Sequence, residues 1–208
     1  MFAIEPHLWL QQSFDPAWML PLMLAISMWG YIPLFAAVIV LTGMLVNRRA
    51  GVLVLITALL MGSVVSLVKH SVDLPRPSDV DVRVLDEGRT GKALVAAGGG
   101  KDAWSLPDQD AVAAFRAQDG ERDPGFISGH TGVTAALCMA LVLLLQFRRW
   151  WSVAALLILP PAVMGLSRLY LGRHFLADVL AGCVAGWLVA LLVYWAFSRL
   201  WPTQTVQR

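Results

Sequence analysis

Between Gly165 and Gly182 the sequence reads GLSRLYLGRHFLADVLAG, with Arg168, Arg173, His174 and Asp178 set between apolar residues. Charge inside or beside a hydrocarbon layer is costly, so such residues face protein or water and mark a functional site. Their meaning depends on what surrounds them. Long apolar runs lie on both sides, at Trp151–Leu166 and Val179–Phe197.

The 208 residues are 58% hydrophobic and only 14% charged, with a mean hydropathy of +0.66. That balance excludes an ordinary soluble domain and fits an integral membrane protein. The length suits a single domain over 1–208. A net charge of +2 is too small to point to nucleic acid. Cys138 and Cys183 sit in apolar runs and read as packing residues rather than a disulfide or metal site. The first residues carry no basic stretch or small-residue cleavage site, so no signal peptide is expected.

A membrane helix needs about 20 mainly apolar residues. Tyr31–Val46, Gly51–Val68, Thr131–Phe147, Trp151–Leu166 and Val179–Phe197 qualify. The fold class expected is all-α, a polytopic membrane helix bundle of five or six transmembrane helices. The sixth would be PAWMLPLMLAISMW, Pro16–Trp29. No polar turn separates it from the next span, so residues 1–30 are read as an interfacial or re-entrant segment.

Arg48 and Arg49 separate the first two spans, Arg148 and Arg149 the third and fourth, and Arg199 and Arg208 follow the fifth. No acidic residue accompanies them, so by the positive-inside rule these ends are cytoplasmic. Trp150, Trp151, Trp195 and Trp201 gather at the same ends as an interfacial belt. The stretch 71–127 holds seven Lys/Arg and eleven Asp/Glu and cannot sit in lipid. It is expected to be an extracytoplasmic loop, with a short helix in DQDAVAAFRAQDG.

On that topology three polar clusters reach one membrane surface. Lys69 and Arg76 lie where the second span ends, Ser128, Gly129 and His130 where the third begins, and Arg168, His174 and Asp178 between the fourth and fifth. Three cations suit a phosphate, and arginine matches its geometry with two parallel hydrogen bonds. A hydroxyl and a glycine opening a helix direct backbone N–H groups and a positive dipole end at an anion. His174 and Asp178 are four residues apart and share a helical face. A carboxylate behind the imidazole would fix its tautomer and leave the other nitrogen to attack. His130, from another span, would protonate the leaving group. The set reads as a phosphoryl-transfer site with a covalent phosphohistidine.

Blander readings compete with this one. Span-end lysines and arginines commonly snorkel to the interface, and that reading is kept for Arg48 and Arg199. His7 and His70 are read as packing or hydrogen-bonding residues, and Arg173 as lying outside the core site. His174 and Asp178 alone would also serve as a helix pair or as two metal ligands. Three nearby cations and a single carboxylate argue against a divalent ion, so no metal and no cofactor are expected.

KHSVDLPRP (Lys69–Pro77), ISGH (Ile127–His130) and SRLYLGRHFLAD (Ser167–Asp178) together resemble the three signatures of the type 2 phosphatidic acid phosphatase family, K-x6-RP, P-S-G-H and S-R-x5-H-x3-D. Spacing and order match, with one departure: Ile127 replaces the usual proline, which bears on loop rigidity rather than on side-chain chemistry. The resemblance covers about Gly51 to Phe197. It implies a helical fold shared with vanadium haloperoxidases and bacterial acid phosphatases, and metal-independent hydrolysis of phosphomonoesters or pyrophosphates. His174 would be the nucleophile, Asp178 its orienting carboxylate and His130 the acid. Lys69, Arg76, Arg168, Ser128 and the Gly129 backbone would hold the phosphate.

A site at the membrane–water boundary favours a lipid phosphate as substrate: undecaprenyl pyrophosphate, phosphatidylglycerol phosphate, phosphatidic acid or a lipid A phosphate. The expected partners are that substrate and membrane lipids, not nucleic acid. The expected place is a bacterial inner membrane, with the site facing the periplasm. Two other classes use the same pocket. One is a phosphotransferase passing the phosphate to another lipid, and the other a non-enzymatic lipid-phosphate carrier. The carrier would be marked by loss of His174 or His130, and both are present. The stretch of about fifty residues between Pro77 and Ser128 is a candidate lid or head-group reader.

Overall fold

The computed structural model describes residues 4–14, 16–30, 32–72, 76–80, 83–84 and 125–201, and all regular structure among them is helical. The elements are α1 (Glu5–Ser13), α2 (Pro16–Met28), α3 (Ile32–Leu45), α4 (Arg48–Ser71), α5 (Pro77–Val80), α6 (Gly129–Leu145), α7 (Trp150–Tyr170) and α8 (Leu176–Leu200). The expected loop and its short helix within DQDAVAAFRAQDG lie outside the described residues.

Three helices, α4, α7 and α8, are long and apolar enough to cross a membrane. Their outward faces carry Leu59, Leu67, Leu159, Leu180 and Leu192, apolar surface that lipid rather than water can cover. The apolar helices α3 and α6 have 14 and 17 residues, close to the 16 and 17 of the spans expected at Tyr31–Val46 and Thr131–Phe147. Local signals set their ends. α3 begins after a turn at Trp29–Gly30, and Asn47 stops it by capping α4, its side chain accepting from the Ala50 N–H at 2.8 Å. α6 ends at Gln146 in the left-handed conformation. The turn at Trp29–Gly30 also separates α2 from α3. α2 has 13 residues, about 20 Å of helix against about 30 Å of hydrocarbon.

The core forms between α4, α6 and α8, where Leu53, Val54 and Met61 meet Ala136, Leu137, Val189 and Val193. α6 and α8 approach most closely. A Cβ on Gly186 would overlap the Gly132 carbonyl and Ala136 N, and one on Gly182 would fall 2.6 Å from the Ser128 carbonyl. Small residues let two helix backbones touch in this way. Backbone atoms cannot step aside cheaply, so Gly186→Val is expected to cost about 3 kcal/mol or more. Thermal unfolding in detergent checks this, and an unchanged midpoint would contradict the crossing.

A second cluster joins Leu10 of α1, Met19 and Met23 of α2, and Tyr170 and Leu171 at the end of α7. It holds the N-terminal helices against the loop before α8. At the far end of the bundle Arg49 lies over the Phe197 and Trp201 rings, Arg149 over Trp151 and Arg199 over Trp195. The start of α4 is thereby beside the end of α8. The Arg–Trp belt expected at one end is assembled, and the polar clusters are left at the other.

Candidate active site

The link between α7 and α8 brings His174 into the bundle. His174 is 3% exposed, as are Arg168 and Asp178. Its Nδ1 lies 2.7 Å from the Gly125 carbonyl oxygen. A carbonyl only accepts, so Nδ1 carries the proton and the lone pair of the neutral ring is on Nε2. The sequence reading put the Asp178 carboxylate in that position. Instead Asp178 Oδ2 is 3.8 Å from Nδ1 and accepts the Phe175 N–H at 2.8 Å, tying down the first turn of α8. Asp178 borders the imidazole, and a backbone carbonyl sets the tautomer.

Burial holds the His174 pKa well below its ordinary 6.5, and the charges of Arg168, Arg76 and Lys69 push it the same way. The hydrogen bond to Gly125 opposes them and is outweighed. All three predicted cations therefore act on one ring. The unfolded imidazole takes a proton near pH 6.5 and the folded one only at lower pH. The stability tied to this ring is thus complete above about pH 6.5 and falls as pH drops toward the folded value. Between pH 7.5 and 5.5 wild type is expected to lose more thermal stability than His174→Gln. Equal losses would refute the shift.

Ser128 precedes α6 and is buried, its Oγ 3.0 Å from Thr131 Oγ1. Its N–H donates to the Asp178 carbonyl at 3.1 Å, stitching the start of α6 to the start of α8. Gly129 and His130 form the first residues of α6, and the charges of Arg168, Arg173 and Lys69 act on the His130 ring. Lys69 lies in the last turn of α4. Arg76, just before α5, is 4% exposed. The predicted residues thus converge at one end of the bundle. Two helix N-termini also start there, a favourable place for an oxyanion. Among the described residues no three His, Cys, Asp or Glu side chains gather as a metal set.

Below the polar end lies an apolar cavity of about 290 Å³. Ile26, Trp29, Phe35, Val38 and Cys138 line it together with Thr134. Thr134 is one helical turn from His130 and donates to the His130 carbonyl at 2.8 Å, so its hydroxyl makes little polar demand on the cavity.

The N-terminal segment contributes more than its sequence announced. His7 is a packing and hydrogen-bonding residue, as its sequence reading has it, and its partner lies in the site. It is 1% exposed, its Nε2 donates to the His174 carbonyl at 3.1 Å, and its ring meets Phe175 edge-on at 5.6 Å. Gln11 Nε2 donates to the Tyr170 carbonyl at 2.8 Å. Two polar residues four apart on the buried face of one short helix were the available signal. Ser27 Oγ accepts from Arg168 Nη1, a contact with no such signature. His70 is exposed and bonded to the Ser66 carbonyl of its own helix, as a bland residue would be.

Several known proteins are similar to this chain over part of its length. The family model described as the PAP2 superfamily matches residues 50–202. Over 74 residues, 34% of this chain and 28% of the relative, the sequence is 39% identical to the lipid A 4'-phosphatase of Porphyromonas gingivalis. Over 156 residues, 71% of this chain and 60% of the relative, it is 30% identical to the phosphatidylglycerophosphatase B of Escherichia coli. The chain therefore spans less than two thirds of the length of either relative.

Proposed function

This chain belongs to the PAP2 superfamily, and on that premise we propose that it is a metal-independent lipid phosphatase working through a phosphohistidine on His174. The observation that carries the reading is the pairing of two environments. A buried neutral imidazole lies under the influence of Arg168, Arg76 and Lys69, and an apolar cavity starts one helical turn below His130. A phosphate head fits the first and a hydrocarbon tail the second. Inorganic phosphate needs no such cavity.

In the first step the Nε2 lone pair of His174 attacks phosphorus. The bond to the leaving oxygen breaks, and His130, which takes up a proton as the anionic phosphate enters among the cations, delivers that proton to the leaving oxygen. In the second step His130 takes a proton from water, whose oxygen attacks phosphorus and breaks the P–N bond. The products are the lipid alcohol, or the lipid monophosphate if the substrate is a pyrophosphate, and inorganic phosphate. Arg168, Arg76, Lys69, Ser128 and the Gly129 N–H bear the charge on the transferring group. Asp178 supports the imidazolium character that develops on His174. The chain acts as one domain, in a bacterial inner membrane with the site toward the periplasm, as its arginine-rich opposite end supports.

The test is phosphate release by detergent-purified protein from undecaprenyl pyrophosphate, phosphatidylglycerol phosphate, phosphatidic acid and a lipid A phosphate, with EDTA present. Release from at least one lipid, insensitive to EDTA and blocked by orthovanadate, is expected. A metal requirement would overturn the mechanism. Release from none, or a phosphorylated lipid acceptor in place of free phosphate, would overturn the hydrolase assignment.

A further inference from the structure

The turn that ends α2 touches two of the groups on which the proposed chemistry depends. Ser27 is fully buried and its Oγ accepts from Arg168 Nη1. Gly30 closes the turn, its N–H donating to the Ser27 carbonyl at 2.9 Å, while the Trp29 N–H donates to Ile26 at 3.1 Å. A Cβ at position 30 would overlap Cδ2, Cγ and Nε2 of the His130 ring. The imidazole therefore lies against a bare Cα. Met19 and Met23, packed on Tyr170 and Leu171, hold α2 in place. All of α2 and its turn lie outside the family match at residues 50–202.

From these contacts we infer that the Ser27–Gly30 turn is a positioning element of the active site, in which Ser27 sets the Arg168 guanidinium and Gly30 seats the His130 imidazole. The inference rests on the roles given above to Arg168 and His130. Reacting groups need to be held to roughly 0.5 Å by their supports. A long arginine side chain fixed before substrate arrives also loses less freedom when it binds. Ser27 supplies that fixation from a different helix, and Gly30 supplies room that any other residue would fill.

Two measurements on the full-length protein test it. The first compares Gly30→Ala, His130→Ala and the double variant on two substrates. One is a short-chain lipid phosphate, whose alkoxide needs a proton to leave, and the other is p-nitrophenyl phosphate, whose phenolate does not. Gly30→Ala should lower kcat at least ~10-fold on the lipid phosphate and less than ~3-fold on p-nitrophenyl phosphate, since only the first needs the acid. Added to His130→Ala, it should cost nothing further on the lipid phosphate. Equal losses on both substrates, or losses that multiply in the double variant, would overturn the Gly30 assignment. The second measurement is orthovanadate binding, which needs no turnover. Ser27→Ala should weaken it about 10-fold, the scale of a hydrogen bond to a charged group, and Ser27→Thr should keep it near wild type. Unchanged affinity in Ser27→Ala would overturn the Ser27 assignment even if no lipid is hydrolysed. Wild-type protein that hydrolyses lipid while the turn variants behave as wild type would overturn the inference and leave the proposed function standing.

Discussion

His174→Ala is expected to reduce lipid phosphate hydrolysis by at least about 10⁴-fold, the scale on which loss of a covalent nucleophile is felt. The fold should persist. The contact that His7 makes is to the backbone carbonyl of residue 174, which alanine keeps. What disappears is the buried ring with its 3.8 Å approach to Asp178 and its hydrogen bond to Gly125, the latter worth about 1 kcal/mol. A small fall in the unfolding midpoint with loss of turnover is the expected pair of results. The phosphoenzyme provides an independent check. Acid-labile, alkali-stable phosphate should be trapped on wild-type protein during turnover and be absent from the variant. Residual turnover within tenfold of wild type would remove His174 from the role of nucleophile.

Arg168→Ala should be the next most damaging change, with kcat/KM falling on the order of 10³-fold, about 4 kcal/mol of transition-state stabilisation. Its guanidinium is buried and is the foremost of the charges acting on His174. Two consequences separate it from a structural defect. Arg168→Lys should recover little, because an ammonium cannot present two parallel donors to a phosphate. Loss of the charge should also let the His174 pKa climb back toward its ordinary value, leaving more of the proposed nucleophile protonated in mildly acidic solution. The acid side of the kcat/KM profile should move to higher pH in Arg168→Ala. A full rescue by lysine, or a profile that stays in place, would contradict this account.

The membrane class and the convergence of the site were readable because charge is so conspicuous in this chain. Lys69, Arg168, His174 and Asp178 are polar residues next to apolar runs, and the Arg-Arg links fix which span ends share a surface. Helix ends were less readable: the stop at Asn47 and the break at Trp29–Gly30 depend on caps and turns that apolar composition does not reveal. The supports of the site were the least readable part, with only the i,i+4 spacing of His7 and Gln11 as a signal. Gly125 acts through a carbonyl that every residue possesses. His7 and Ser27 reach partners 167 and 141 positions away. A serine in an apolar helix or a glycine in a turn has many ordinary explanations, and only tertiary contact selects one.

The crossing of α6 and α8 bears on how the protein meets membranes of different thickness. His130 rides at the start of one helix and His174 just before the other, and Gly182 and Gly186 leave no gap between the two. Hydrophobic mismatch exerts only fractions of a kcal/mol per Å, whereas prying apart such a contact costs several. A thinner or thicker bilayer will therefore tilt the pair as one body before it changes the spacing of the two imidazoles. The geometry of the proposed site travels with the crossing, so the proposed chemical step should proceed at the same rate whatever acyl length surrounds it.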